Sequence, residues 1–137
     1  MTVEIALDSD GEWDSSSGWE ALARRAAQAA IAESAYPELN ATERAIEVSI
    51  RLTDDGEMRA LNAQWRGKDK PTNVLSFPMA DERQIAAAGQ SGPALLLGDI
   101  VLASGVCAAE ARDKAVSLAD HATHLIVHGT LHLLGND

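Results

Sequence analysis

Between positions 46 and 52 the chain alternates strictly, with Ile46, Val48, Ile50 and Leu52 set against Glu47, Ser49 and Arg51. That period of two specifies a strand with one buried face, because a one-residue slip would carry every apolar side chain into solvent. A chain holding such a strand must build a sheet and cover at least one side of it. Val3, Ile5 and Leu7 repeat the alternation near the amino terminus. Residues 72–77 are rich in types suited to a strand, and 95–102 reads as a fourth strand, interrupted by Gly98.

The cover comes from segments of helical period. Ser17 and Glu20 form a capping-box pattern ahead of Trp19, Leu22, Ala26, Ala30 and Ile31, and Pro37 marks that helix's end. Asp54 with Glu57 caps a second helix, whose Met58, Leu61 and Trp65 form an apolar stripe expected to lie in the core. Two more helices follow, one over 105–115 and one from a Ser117/Asp120 cap through Leu134, stopped at Gly135. Residues 8–18 and the small-residue stretch 80–94 read as loops. The order β-α-β-α-β-β-α-α predicts one α+β domain over residues 1–137, with a mixed four-stranded sheet packed by helices.

Composition narrows the function. Aromatic residues are 4% of the chain, so the core rests on the aliphatic residues and alanine within a hydrophobic share of 46%. One cysteine, Cys107, excludes an internal disulfide framework and a cysteine-rich zinc cluster, and fits a reducing compartment. With no basic-flanked apolar leader and no run of about 20 apolar residues, neither secretion nor membrane insertion is expected, and the cytoplasm is the expected location. Eleven Lys and Arg against 21 Asp and Glu give a net charge of −10. Any contact with nucleic acid therefore needs a local basic patch.

Such a patch exists. Four of the eleven basic side chains fall between Arg59 and Lys70, with Arg66, Lys68 and Lys70 in one turn, a candidate phosphate-binding site. Lys68 and Lys70 read equally as solvated turn residues. Asn73 and Ser76 fit either backbone bonds at a strand edge or substrate contact. Trp65 could stack on a base, although its spacing favours the core. Asp99, inside an apolar strand, must bond nearby backbone or orient a metal-binding histidine.

All four histidines, His121, His124, His128 and His132, lie on the last helix. His128 and His132 are one turn apart, about 6 Å along the axis and about 40° around it, so both imidazoles can reach one ion. Zincins carry a glutamate directly after the first histidine, whereas Gly129 stands here, which disfavours a metalloprotease. Gly129 either packs the helix closely on a neighbour or leaves room above an ion. His121 and His124 read as ordinary helix residues with local partners.

The run His-Gly-Thr-Leu-His-Leu-Leu-Gly-Asn-Asp at 128–137 resembles the signature His-Gly-x-Leu-His-Leu-x-Gly-Tyr-Asp-His of the YbeY family of bacterial rRNA-maturation endoribonucleases. Two upstream blocks agree in order and spacing: Leu61-Asn62 with Trp-Arg-Gly-Lys-Asp-Lys-Pro-Thr-Asn-Val-Leu-Ser-Phe-Pro at 65–78, and Leu-Gly-Asp-Ile-Val at 97–101. The resemblance runs from about Ile46 to the end. It implies one divalent metal, usually zinc, held by His128 and His132, with the family's arginine at Arg66. It also implies RNA hydrolysis in 3′-end maturation of small-subunit rRNA and in ribosome quality control. The partners implied are rRNA, the small ribosomal subunit and its assembly proteins, with no membrane and no DNA. Asn136 replaces the signature tyrosine, and the family's third metal-binding histidine falls one position beyond Asp137, so the chain reads as ending just before that ligand. A non-catalytic ribosome-assembly factor with a structural metal is the alternative expectation.

Overall fold

The computed structural model describes residues 1–7, 12–14 and 18–135. Its centre is a four-stranded sheet of β1 (Thr2–Leu7), β2 (Ile46–Thr53), β3 (Val74–Pro78) and β4 (Leu95–Ala103), in the spatial order β1-β2-β4-β3. β1, β2 and β4 run parallel, and β3 joins antiparallel to β4 as an edge strand. The sheet is mixed, as the element order predicted.

The alternation in β2 is realised in full, since Ile46, Val48, Ile50 and Leu52 are all buried. They point to one side, together with Val3, Leu97, Ile100 and Leu102, against α1 (Trp19–Glu33) and α5 (Leu118–Leu133). These two helices pack on each other, and α5 also lies on β3 and β4. Gly129 is the point of closest approach. A Cβ there would stand 3.1 Å from Ile100 Cγ2, so the glycine allows the helix to sit down on β4. Of the two expectations for Gly129, close packing is realised, and the residue also lines a cavity beside His128 and His132.

The other face of the sheet is covered only in part. α2 (Asp55–Arg66) seats Met58 on Leu75, Val101 and Ala103, with Leu61, Phe77 and Val106 half-buried around them. α4 (Ser104–Asp113) follows β4 directly. The Asp54 cap forms, its carboxylate accepting from the Glu57 amide at 2.8 Å. Ser117 likewise accepts from the Asp120 amide at the start of α5. Gly135 has φ +88 just past that helix, and its amide returns to the His132 carbonyl.

Two expectations change, at 80–94 and at Trp65. Residues 80–94 contain α3 (Glu82–Ala86), opened by a reciprocal Asp81/Gln84 capping box that buries Ile85. The sequence carried that Asp-x-x-Gln signal, overshadowed by the surrounding small residues. In the 8–18 stretch, Trp13 is buried, donates its indole N–H to the Thr53 carbonyl at 2.8 Å and meets Trp19 edge-on. Ser17, the expected cap of α1, lies outside the described residues, and Gly18 precedes the helix with φ +69. Trp65 is not in the core: the indole is 62% exposed. Among the described residues no helix is long and apolar enough to cross a membrane.

Candidate functional site

α2 ends at Arg66 because Gly67, with φ +68, reverses the chain, its amide bonding the Ala63 carbonyl. The following loop is pinned from inside. Buried Asn62 donates from Nδ2 to the Lys70 carbonyl at 2.8 Å, and Arg59 forks onto Asp69 at 2.7 and 3.0 Å. That ion pair holds the Arg59 guanidinium above and the Asp69 carboxyl below their ordinary values, through hydrogen bonding first and charge second. The loop delivers the chain into β3, which lies between α2 and α5. Arg66, Ser76, His128 and His132 thereby line one cleft of about 500 Å³, walled also by Trp65 and Phe77. His128 is exposed and His132 half-buried. Arg66 is exposed and makes no hydrogen bond or ion pair with any described residue, so its five donors are available to an anion.

The other candidates separate from this cleft. Lys68 and Lys70 are exposed on the loop and do not line it. Asn73 is engaged in the fold: its Nδ2 donates to Glu110 Oε1 at 3.0 Å, its Oδ1 accepts from the Val74 amide, and its carbonyl accepts from the Ala103 amide. His121, 3% exposed, sets Nε2 2.8 Å from the same Glu110 oxygen. His124 is exposed, one turn before His128, and outside the cleft.

Asp99 follows neither expectation. It alternates with Ile100, the residue beneath Gly129, so it points to the opposite side of the sheet from the histidines. There it is half-exposed, with no hydrogen bond or ion pair to any described residue. Solvent on the partly covered face removes the desolvation cost that demanded a partner.

The Asn73–Glu110–His121 triad fixes the start of β3 to α4 and α5. Burial pushes the Glu110 carboxyl up, but hydrogen bonds from His121 and Asn73, with attraction to His121 and Lys114, outweigh it and hold it below its ordinary value. A depressed native pKa contributes stability above the unfolded value and loses it as pH falls through the native one. Glu110→Gln is therefore expected to lower the urea midpoint at neutral pH, with the gap to wild type closing below about pH 4; a gap independent of pH would contradict this. Cys107 lies beside the triad, its thiol pushed up to about 12 chiefly by burial, with the nearby Glu110 charge adding to it. Such a thiol is inert.

His128 and His132 present two imidazoles one turn apart to a single cleft, which fits two ligands of a divalent ion. Among the described residues no third His, Cys, Asp or Glu joins them, while Asn136 and Asp137 lie outside those residues.

Known proteins of similar sequence share this arrangement's framework. A family model described as Endoribonuclease YbeY matches residues 11–137. An Endoribonuclease YbeY of Rhizorhabdus wittichii is 52% identical over 136 residues, spanning 98% of this chain and 80% of that protein. One from Paramagnetospirillum magneticum is 46% identical over 137 residues, spanning the whole chain and 80% of the relative. The solution structure of TM1509 from Thermotoga maritima superposes with a TM-score of 0.58 at 25% identity, over 99% of this chain and 74% of that one. With the match extending through α2, β3, β4 and the histidine helix, this chain belongs to the YbeY family.

Proposed function

We propose that the protein is a metal-dependent endoribonuclease that processes ribosomal RNA, acting at the 3′ end of small-subunit rRNA and in ribosome quality control. The observation that carries this reading is the meeting of Arg66, His128 and His132 at one cleft, in a chain whose relatives are named as endoribonucleases. His128 and His132 would hold one zinc ion. The ion, when bound, supplies Lewis-acid polarisation of a phosphate oxygen. Arg66 donates to the non-bridging oxygens and stabilises the charge that develops on phosphorus. Ser76, on the cleft wall, offers a hydroxyl to the substrate backbone. Lys68 and Lys70 attract flanking phosphates from the exposed loop. Asn73 serves the site through Glu110, by fixing the start of β3. The substrate is carried on the small ribosomal subunit with its assembly proteins, in the cytoplasm.

Elemental analysis of the purified protein is expected to find about one divalent ion per chain. A His128→Ala, His132→Ala double variant should lose that ion together with cleavage of purified rRNA. Equal metal content in the two proteins would remove the metal reading, and RNA binding without metal-dependent turnover would assign the protein to assembly. Product ends carrying a 2′,3′-cyclic phosphate would identify the ribose hydroxyl as the attacking group.

A further inference from the structure

Beside the cleft, on the partly covered face of the sheet, a second cavity of about 650 Å³ shares Trp65 and Phe77 with it. Two aromatic rings thus form the ridge between the two spaces. Their centroids are 6.1 Å apart at an interplanar angle of 65°, an edge-to-face contact that fixes the indole while leaving it 62% exposed. Exposing an indole costs burial energy, and the packing of α2 on the sheet does not require it, since Met58, with half-buried Leu61 beside it, already seats the helix there. Met79, 60% exposed, lies at the cavity's rim. Asp99 is paired with Phe77 across β3 and β4 and opens into the same space.

The charges in this cavity indicate which part of a nucleotide enters. Arg51 is already forked onto Glu57, so the nearby cation is neutralised, while Asp99 makes no bond to any described residue. Such a space repels phosphate. Phosphate suits the neighbouring cleft, where Arg66 faces solvent. An uncharged base suits this cavity: it can lie on an aromatic face and offer N–H donors to a carboxylate that only accepts.

We infer that the Trp65–Phe77 ridge and Asp99 form a base-binding subsite for the nucleotide next to the scissile phosphate, with the base stacked on Trp65 and its donor edge on Asp99. This rests on the reading of the cleft as an RNA-cleaving site. Guanine is the preferred base, because its N1–H and N2–H are adjacent donors that can engage both carboxylate oxygens, whereas uracil presents one N–H between two acceptors.

The test reads binding apart from cleavage. Single-stranded uridine hexamers, with or without one guanine, are titrated into the full chain in the presence of a chelator. Trp13 and Trp19 are buried, so fluorescence quenching on binding is expected to come from Trp65 and to vanish in Trp65→Phe. Trp65→Ala should weaken binding about ten-fold or more, with an unchanged melting temperature given its exposure. Asp99→Ala should abolish the preference for the guanine-containing hexamer while leaving affinity for the uridine hexamer intact. Unchanged RNA affinity in Trp65→Ala would overturn the inference. If that variant instead loses binding to purified small-subunit proteins, the cavity is a protein-docking surface. Failure of the unaltered protein to cleave any RNA would overturn the functional reading and leave these binding results standing.

Discussion

Arg66→Ala is expected to lower the rate of RNA cleavage by about two to three decades, the effect of removing one donor aimed at developing charge. The argument is one of position. Arg66 closes α2 just before the turn at Gly67 and lines the cleft of His128 and His132, with no bond to a described residue, so the fold does not need its guanidinium. Its removal should therefore leave stability within about 0.5 kcal/mol of wild type and metal content unchanged. Arg66→Lys should recover part of the rate, because charge is kept while the planar fork is lost. Both variants can be compared by single-turnover cleavage of purified rRNA with metal bound. Wild-type rates in Arg66→Ala would deny the residue a catalytic role.

Gly98→Ala is expected to destabilise the protein by about 3 kcal/mol or more. Gly98 has φ +153 and faces Pro78 across the β3–β4 pair. A Cβ there would overlap the Phe77 carbonyl oxygen and stand 2.6 Å from Leu133 Cδ2 and 3.1 Å from Pro78 Cα. Two of these three are backbone atoms, which cannot rotate away. The melting temperature should fall by about 10 °C, and RNA cleavage should fall further than the unfolded fraction accounts for, because the displaced strand β3 carries Ser76 and Phe77. A variant as stable as wild type would mean that the strands relax around the methyl at little cost. Gly129→Ala is the informative comparison: the three atoms nearest its Cβ would all belong to the Ile100 side chain, the first at 3.1 Å, so a smaller loss is expected.

What could be read from the sequence was local. The strand at β2, the caps at Asp54 and Ser117 and the stop at Gly135 each depend on neighbours within a few positions, where period and side-chain chemistry decide the outcome. The one-turn spacing of His128 and His132 was legible for the same reason. Arg66 entered through a basic turn and through resemblance, since nothing local joins it to a helix some sixty positions on.

Tertiary structure decided the rest, and the misreadings share one cause. Trp65 follows Met58 and Leu61 at helical spacing, yet is exposed, because α2 covers only the β3–β4 end of its face. Asp99 needed a partner only if both faces of β4 were dry, and the face it occupies is wet. Of the two readings of Asn73 the backbone bond at the strand edge forms, to the Val74 amide, while its bond to Glu110 came only with the placement of α4 and α5. Periodicity specifies which side of an element is apolar, and in this chain it did so correctly for β2 and α1. It does not specify how much of a sheet a helix will reach across. That depends on where the insertion of β3 beside β4 sets the edge of the sheet, and the same insertion brings Arg66 to the histidines.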